Sequence, residues 1–244
     1  MILLDLPDGL RVTTQTDHAA FSGELLSLWR ADGLPRHPRR DDLIFAAREH
    51  DNGWQETDSA PMLRTDGDGA GRRPHDFLSM PLGARLELWN RGVRRHRESR
   101  PYGGLLILEH ALELHRRHEG KAAWKDALSD WRRLRDELVE STGTPRAQLT
   151  EDYRWIDLAD TLSLAACAGW REPFEHRGFA GRVAKAGDDG PTLHLDPFPL
   201  AGTTTFRIRH RVIPKRSYRG DADLAVELAT ARWRELPVRV APSP

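Results

Sequence analysis

The sequence predicts a mainly helical fold with short N-terminal strands and a small β-containing C-terminal extension. Three observations predict it. Between about residues 15 and 170, apolar residues recur at helical spacings of three and four. After Phe174 the pattern changes to short apolar runs broken by Gly, Pro and Asp, which read as strands. At the start, two short apolar runs flank the turn signal Pro7-Asp8-Gly9. A chain of 244 residues holds one large domain, or a domain with an appendage. The division expected is a helical core with its N-terminal hairpin over 1–170, and a β-rich extension packed on it over 171–244.

The elements follow in order. Residues 2–4 and 10–14 read as strands. Asp17 reads as an N-cap, with a helix from His18 to Trp29. Residues 32–40 are a loop, and Asp41 or Asp42 caps a helix that runs to about Asp51 and ends at Gly53. Residues 53–81 read as a long loop, because TDGDGAGRRP cannot form a regular element; loops of this length often bind ligands. Helices are expected near 82–97, 102–119, 121–141 and 147–168. The third shows Trp124, Leu128, Trp131, Leu134 and Leu138 on one face. FAGRVAKAG, TLHLDPFPL and TTFRIRHRVIP read as strands, followed by a helix near 221–234 and a terminal strand at VRV.

Composition narrows the function. Lys plus Arg equals Asp plus Glu at 37 each, which argues against nucleic-acid binding by bulk charge. No run approaches 18 apolar residues, so no membrane span is expected. The start MILLDLPDG lacks the basic region of a signal peptide, and a cytoplasmic location is expected. The single Cys167 excludes an internal disulfide and a cysteine-only metal cluster. The eight tryptophans suit either a core or a homodimer seam.

The sharpest chemical feature is His50-Asp51-Asn52-Gly53 at a helix end. A neutral imidazole and a carboxylate that reach one point suit a divalent metal. Leu43, Ala46 and Ala47 precede His50 at helical spacing, so His50 points inward; a core histidine bonded to a neighbour is the alternative. His18 opens an earlier helix beside Asp17. Asp160 shares a face with Ile156, Ser163 and Cys167, where a carboxylate needs a partner or a metal. An arginine is the alternative partner, and Asp157 competes for the role. His110 lies on a strongly apolar helix and His75 in the long loop.

An early His, then His-Asp-x-Gly, then Ala-Asp-x-Leu-Ser resembles the HD-domain metal proteins. That resemblance implies His18, His50, Asp51 and Asp160 as ligands to a first metal. His110 and His75 occupy the interval that holds ligands to a second metal in many such proteins. TQTDHAAFSGELLSLW, EHDNGWQETDSAP, RPHDFLSMP, YGGLLILEHALEL, WIDLADTLSLAAC and LHLDPFPL, in this order, resemble the bacterial family called domain of unknown function 3891. One departure stands out: many HD enzymes carry Lys in the position of Trp54, where it holds an anionic substrate. Arginines offer substitutes, namely Arg48, Arg72, Arg73, Arg91, Arg94 or Arg95.

Three functions fit. The leading one, implied by the resemblance, is an HD-like metal-dependent hydrolase of a phosphoester or nucleotide-like small molecule. It would hold one or two divalent ions drawn from Fe, Mn, Co, Ni, Mg and Zn. Asp51 would bridge metals or orient water, Glu49 or Asp17 would assist, and Trp54, Arg48 and the 62–76 loop would shape the substrate pocket. The second is a di-iron oxygenase of the HD type, with His18, His50, Asp51, His75, His110 and Asp160 as its six ligands. The third is a non-enzymatic metal-binding or interaction module.

Overall fold

The N-terminal hairpin and the C-terminal strands form a single sheet, and this overturns the expectation of an all-helical body with a small extension. The computed structural model describes residues 1–65, 71–186 and 190–244. Strands β1 (Ile2–Leu6) and β2 (Gly9–Thr13) pair antiparallel, with Leu6 opposite Gly9. Strands β5 (Phe174–His176), β6 (Phe179–Ala186), β7 (Gly190–Asp196), β8 (Thr204–Ile213) and β9 (Arg234–Pro242) complete a seven-stranded sheet of order β1-β2-β8-β9-β7-β6-β5. Among the described residues only the β7–β9 pairing is parallel. The fold is therefore α/β. The physical reason lies in β2, which is buried at all five positions. A buried strand needs partners for its backbone on both edges. β1 supplies one edge, and β8, about 200 residues later in sequence, supplies the other through Leu10–Ile213, Arg11–Val212 and Val12–Arg211.

The helices are α1 (Gln15–Ser27), α2 (Arg40–Glu49), α3 (Gln55–Ser59), α4 (Leu82–Arg95), α5 (Pro101–His115), α6 (Ala122–Thr142), α7 (Arg146–Ala168) and α8 (Asp221–Thr230). Helices α1 and α7 pack directly on the inner face of this sheet, and most of the others build outward from them. α5 is the central helix, buried nearly all round and packed against α2, α4, α6 and α7. A helix apolar on every side must sit inside the core. α6 covers it from outside and buries the Trp124, Leu128, Trp131, Leu134 and Leu138 stripe that its spacing predicts. One apolar core spans helices and sheet, with the rings of Phe21 and Phe206 5.1 Å apart and those of Trp29 and Phe179 5.1 Å apart. A smaller cluster of Met1, Leu10, Val12, Ile213, Tyr218, Leu224 and Leu228 seats α8 on the other side of the hairpin.

Local details differ from expectation for identifiable reasons. Thr14, not Asp17, caps α1: its Oγ1 accepts the Asp17 amide at 3.0 Å and donates to the Asp17 carboxylate. Gly53 is not a left-handed helix terminator. It lies in a 3-10 turn over Asn52–Trp54, and a Cβ there would stand 2.2 Å from the Leu88 carbonyl oxygen of α4. Close backbone approach is what the position demands. The stretch expected to be one long loop contains α3 and a hairpin of β3 (Leu63–Thr65) and β4 (Arg72–Pro74). Its centre, residues 66–70, lies outside the described residues. Among the tryptophans, Trp29, Trp54, Trp89, Trp124 and Trp131 are core residues. No helix among the described residues is long and apolar enough to cross a membrane.

Candidate metal centre

Four helices bring three imidazoles and two carboxylates to one buried place. α1 carries His18, with Gln15 and Ser22 on the same face at spacings of three and four. α2 ends at Glu49; His50 keeps helical backbone angles, and Asp51 turns away at φ −106°. This change of backbone lets two adjacent side chains converge. α5 contributes His110 and α7 contributes Asp160, with Ser163 one turn further on. His18, His50 and Asp51 form one group of ligand atoms within 4.8 Å of one another, and His50, His110 and Asp160 form a second.

The distances define the cluster. His18 Nε2 lies 3.0 Å from Asp51 Oδ2 and 3.9 Å from Asp160 Oδ1. His50 Nε2 lies 3.3 Å from Asp160 Oδ1 and 3.7 Å from Asp51 Oδ2. His110 Nε2 lies 3.9 Å from Asp160 Oδ2. Donors around one divalent ion at ~2.1 Å are ~3–4 Å apart, so these spacings fit a cation.

The far side of each ring is anchored. His50 Nδ1 donates to the Ala47 carbonyl at 2.7 Å, which leaves Nε2 pointing into the cluster. That Nε2 is buried and has no hydrogen-bond partner of good geometry. His18 Nδ1 lies 2.7 Å from Ser163 Oγ. Ser163 Oγ spends its one hydrogen on the Asp160 carbonyl, so His18 Nδ1 is the donor and its Nε2 lone pair faces Asp51. His110 Nδ1 lies 3.4 Å from the Tyr153 hydroxyl. Such outer bonds fix ring orientation in metal sites. An orphaned buried nitrogen and an imidazole lone pair aimed at a carboxylate are the arrangement a cation satisfies.

Electrostatics agree. Burial alone would lower His50, but Asp51 and Asp160 outweigh it and raise its pKa to about 9. Burial opposes ionisation of both carboxylates, yet the His50 charge holds Asp51 below its usual range. His50 does the same more strongly for Asp160, by its charge and its contact at 3.3 Å. His110 is pushed down to about 4 by burial and by the neighbouring His50 charge. Without metal, a proton on His50 stands where a cation's charge would be; metal binding releases it.

The family model described as Protein of unknown function (DUF3891) matches residues 1–215. The chain belongs to this family. Searches among curated proteins and among solved structures gave no match. The DUF3891 description assigns no activity, and no HD-domain protein is among the matches.

In this DUF3891 chain the remaining candidates fall elsewhere. His75 belongs to neither ligand group; its Nδ1 lies 3.1 Å from Ser79 Oγ, beside the β3–β4 hairpin. Glu49 faces His96, 3.5 Å away, and Arg48 is exposed. Each residue along a helix rotates by ~100°, so neighbours of His50 on α2 point away from the site. Asp157 pairs with His176 at 3.0 Å and with Arg177 at 2.6 Å, leaving Asp160 as the carboxylate in the cluster. Arg91 and Arg95 bond the Gly53 and Asn52 carbonyls and pair with Glu56, so they brace the turn after the doublet. Arg94 pairs with Asp130, and Arg72 donates to the Arg219 carbonyl.

A cleft of about 180 Å³ opens onto Asp51, His110 and Asp160. Trp54 is among its lining residues. The described residues of the 62–76 segment are not; Phe77 and Leu78, just beyond it, are. Sequence reasoning missed Arg85, Trp89, His115 and Arg117 in this lining, and Gln15, whose Nε2 donates to Asp51 Oδ2 at 2.9 Å. For Gln15 a signal existed, since it precedes His18 by three on one helix face.

Proposed function

We propose that the chain is a metal-dependent hydrolase of a small phosphoester or nucleotide-like molecule. The observation that carries this reading is a His/Asp donor set at the floor of a cleft that also holds arginine. His18, His50, Asp51, His110 and Asp160 would hold one or two divalent ions from among Fe, Mn, Co, Ni, Mg and Zn. Such an ion, when bound, lowers the pKa of water and polarises a phosphoryl oxygen. The HD-type likeness of the ligand order belongs to this proposal.

The chain's own residues supply the rest. Arg85 donates through Nη2 to the Leu78 and Met80 carbonyls, while its Nε is buried without a partner. With Arg117, it gives the cleft a positive wall for an anionic ester, the part expected of Lys at the Trp54 position. Trp54, Trp89 and Phe77 are apolar walls that limit water. Gln15 fixes Asp51, and Ser163 fixes His18. The oxygenase reading needs His75 as a sixth ligand, and the position of His75 beside Ser79 favours the hydrolase instead.

The test is phosphate release from phosphomonoesters, phosphodiesters and nucleotides, with the protein loaded separately with each metal. Metal-dependent turnover is expected, with KM raised ~10-fold or more in Arg85→Gln and metal content unchanged. Metal-loaded protein that turns over none of these, and binds inorganic phosphate no better than Arg85→Gln does, would point to a non-enzymatic module.

A further inference from the structure

A second cavity, of about 760 Å³, lies between the inner face of the sheet and the C-terminal end of α7. Its volume is that of a small-molecule site. Leu4, Leu6, Val183 and Leu236 form the sheet side, and Ala166 and Trp170 the helix side. These side chains are apolar, and the exposed Arg171 lines the cavity as well. At its floor is Arg11 of β2, only 7 % exposed.

Arg11 has an unusual position for an arginine. Its Nη2 donates to the Cys167 carbonyl at 2.8 Å, which caps one of the last carbonyls of α7. Capping uses one of five N–H donors. Nε is buried with no partner, and no carboxylate among the described residues pairs with the guanidinium. The two acids that line the cavity are engaged elsewhere: Asp5 with Lys215 at 3.2 Å and Glu235 with Arg207 at 3.1 Å. The Cys167 thiol offers no counter-charge, since burial pushes it up to about 12. Burial also pulls Arg11 below its ordinary value. An unpaired buried cation is costly, and helix capping alone does not require one.

We propose that this cavity binds a monocarboxylate carried on an apolar body, with the Arg11 guanidinium as its counter-charge. One guanidinium neutralises one carboxylate and matches its two oxygens with two N–H donors. The apolar body lies along the leucines and Trp170. The cavity is separate from the metal centre: along α7, Cys167 lies ~10 Å beyond Asp160, and none of the five candidate ligands lines it. The inference therefore stands apart from the proposed hydrolase activity.

The experiment is calorimetric titration of the full chain with decanoate and with decanol, below the concentration at which either self-associates. We expect one decanoate per chain, with decanol at least ~10-fold weaker. Arg11→Gln should erase this preference. A photoreactive decanoate on the wild-type chain locates the site even if that variant fails to fold, and should label peptides from β1 and from residues 166–171. Equal affinity for acid and alcohol, labelling concentrated elsewhere, or no binding of decanoate would overturn the proposal.

Discussion

Ser163 holds His18 in the tautomer that a metal needs. The hydroxyl donates to the Asp160 carbonyl and accepts from His18 Nδ1, 2.7 Å away, so the His18 Nε2 lone pair is turned toward Asp51. Ser22 adds a bond to Ser163 Oγ at 2.9 Å, which makes the serine a buried junction between α1 and α7. Ser163→Ala should thus lower metal affinity ~10–100-fold with the ligands themselves intact. Competition against a chelator of known affinity measures this; unchanged affinity would show that the junction serves packing alone.

Asp160 and Asp157 are three residues apart on α7, yet they face different partners. Asp160→Asn should remove most metal binding. Asp157→Asn should leave it, and should cost no more than about 1 kcal/mol of stability through the His176 and Arg177 pairs. Metal content and thermal unfolding of both variants check the order.

Gly53 tests the packing of the turn that follows the doublet. A Cβ at this position meets the Leu88 carbonyl oxygen at 2.2 Å and the Gly92 Cα at 3.1 Å, both backbone atoms of α4. Gly53→Ala should destabilise the protein by about 1–3 kcal/mol or more, because the turn and α4 must separate. Denaturant unfolding reads the loss directly.

His115 gives the protein a pH limb. Burial pushes its pKa down to about 4, against an ordinary value of 6.5. The folded state thus disfavours the proton that the unfolded chain accepts. The stability this neutral imidazole allows is complete above pH 6.5 and declines as pH falls toward 4, by up to about 3 kcal/mol. His115→Gln should flatten this limb in unfolding curves taken between pH 7 and 4.

Much of this site was legible because helical spacing is local. His18, His110 and Asp160 sit on helices and His50 caps one, so a polar ligand among apolar neighbours announces itself from a few nearby residues, and Asp51 follows His50 directly. His75 had no face to place it, only a loop, and it joins neither ligand group. Glu49 and Arg48 are adjacent to His50, but adjacency on a helix means different directions. Arg85 and His115 reach the cleft from α4 and α5 only after those helices pack, and no local pattern marks them. The sheet shows the same limit. Each strand was legible by its own composition, whereas the pairing of Val12 with Arg211 joins opposite ends of the chain and changes the fold class.

The proposed function requires a cation bound by His18, His50, Asp51, His110 and Asp160. Elemental analysis of the wild-type chain, purified without chelator or affinity-tag metal and compared with Asp51→Ala and Asp160→Ala, tests it most directly. One or two divalent ions per wild-type chain are expected, lost in both variants while the fold is kept. Metal at wild-type content in both variants, or a wild-type chain that takes up none even on titration, would contradict it.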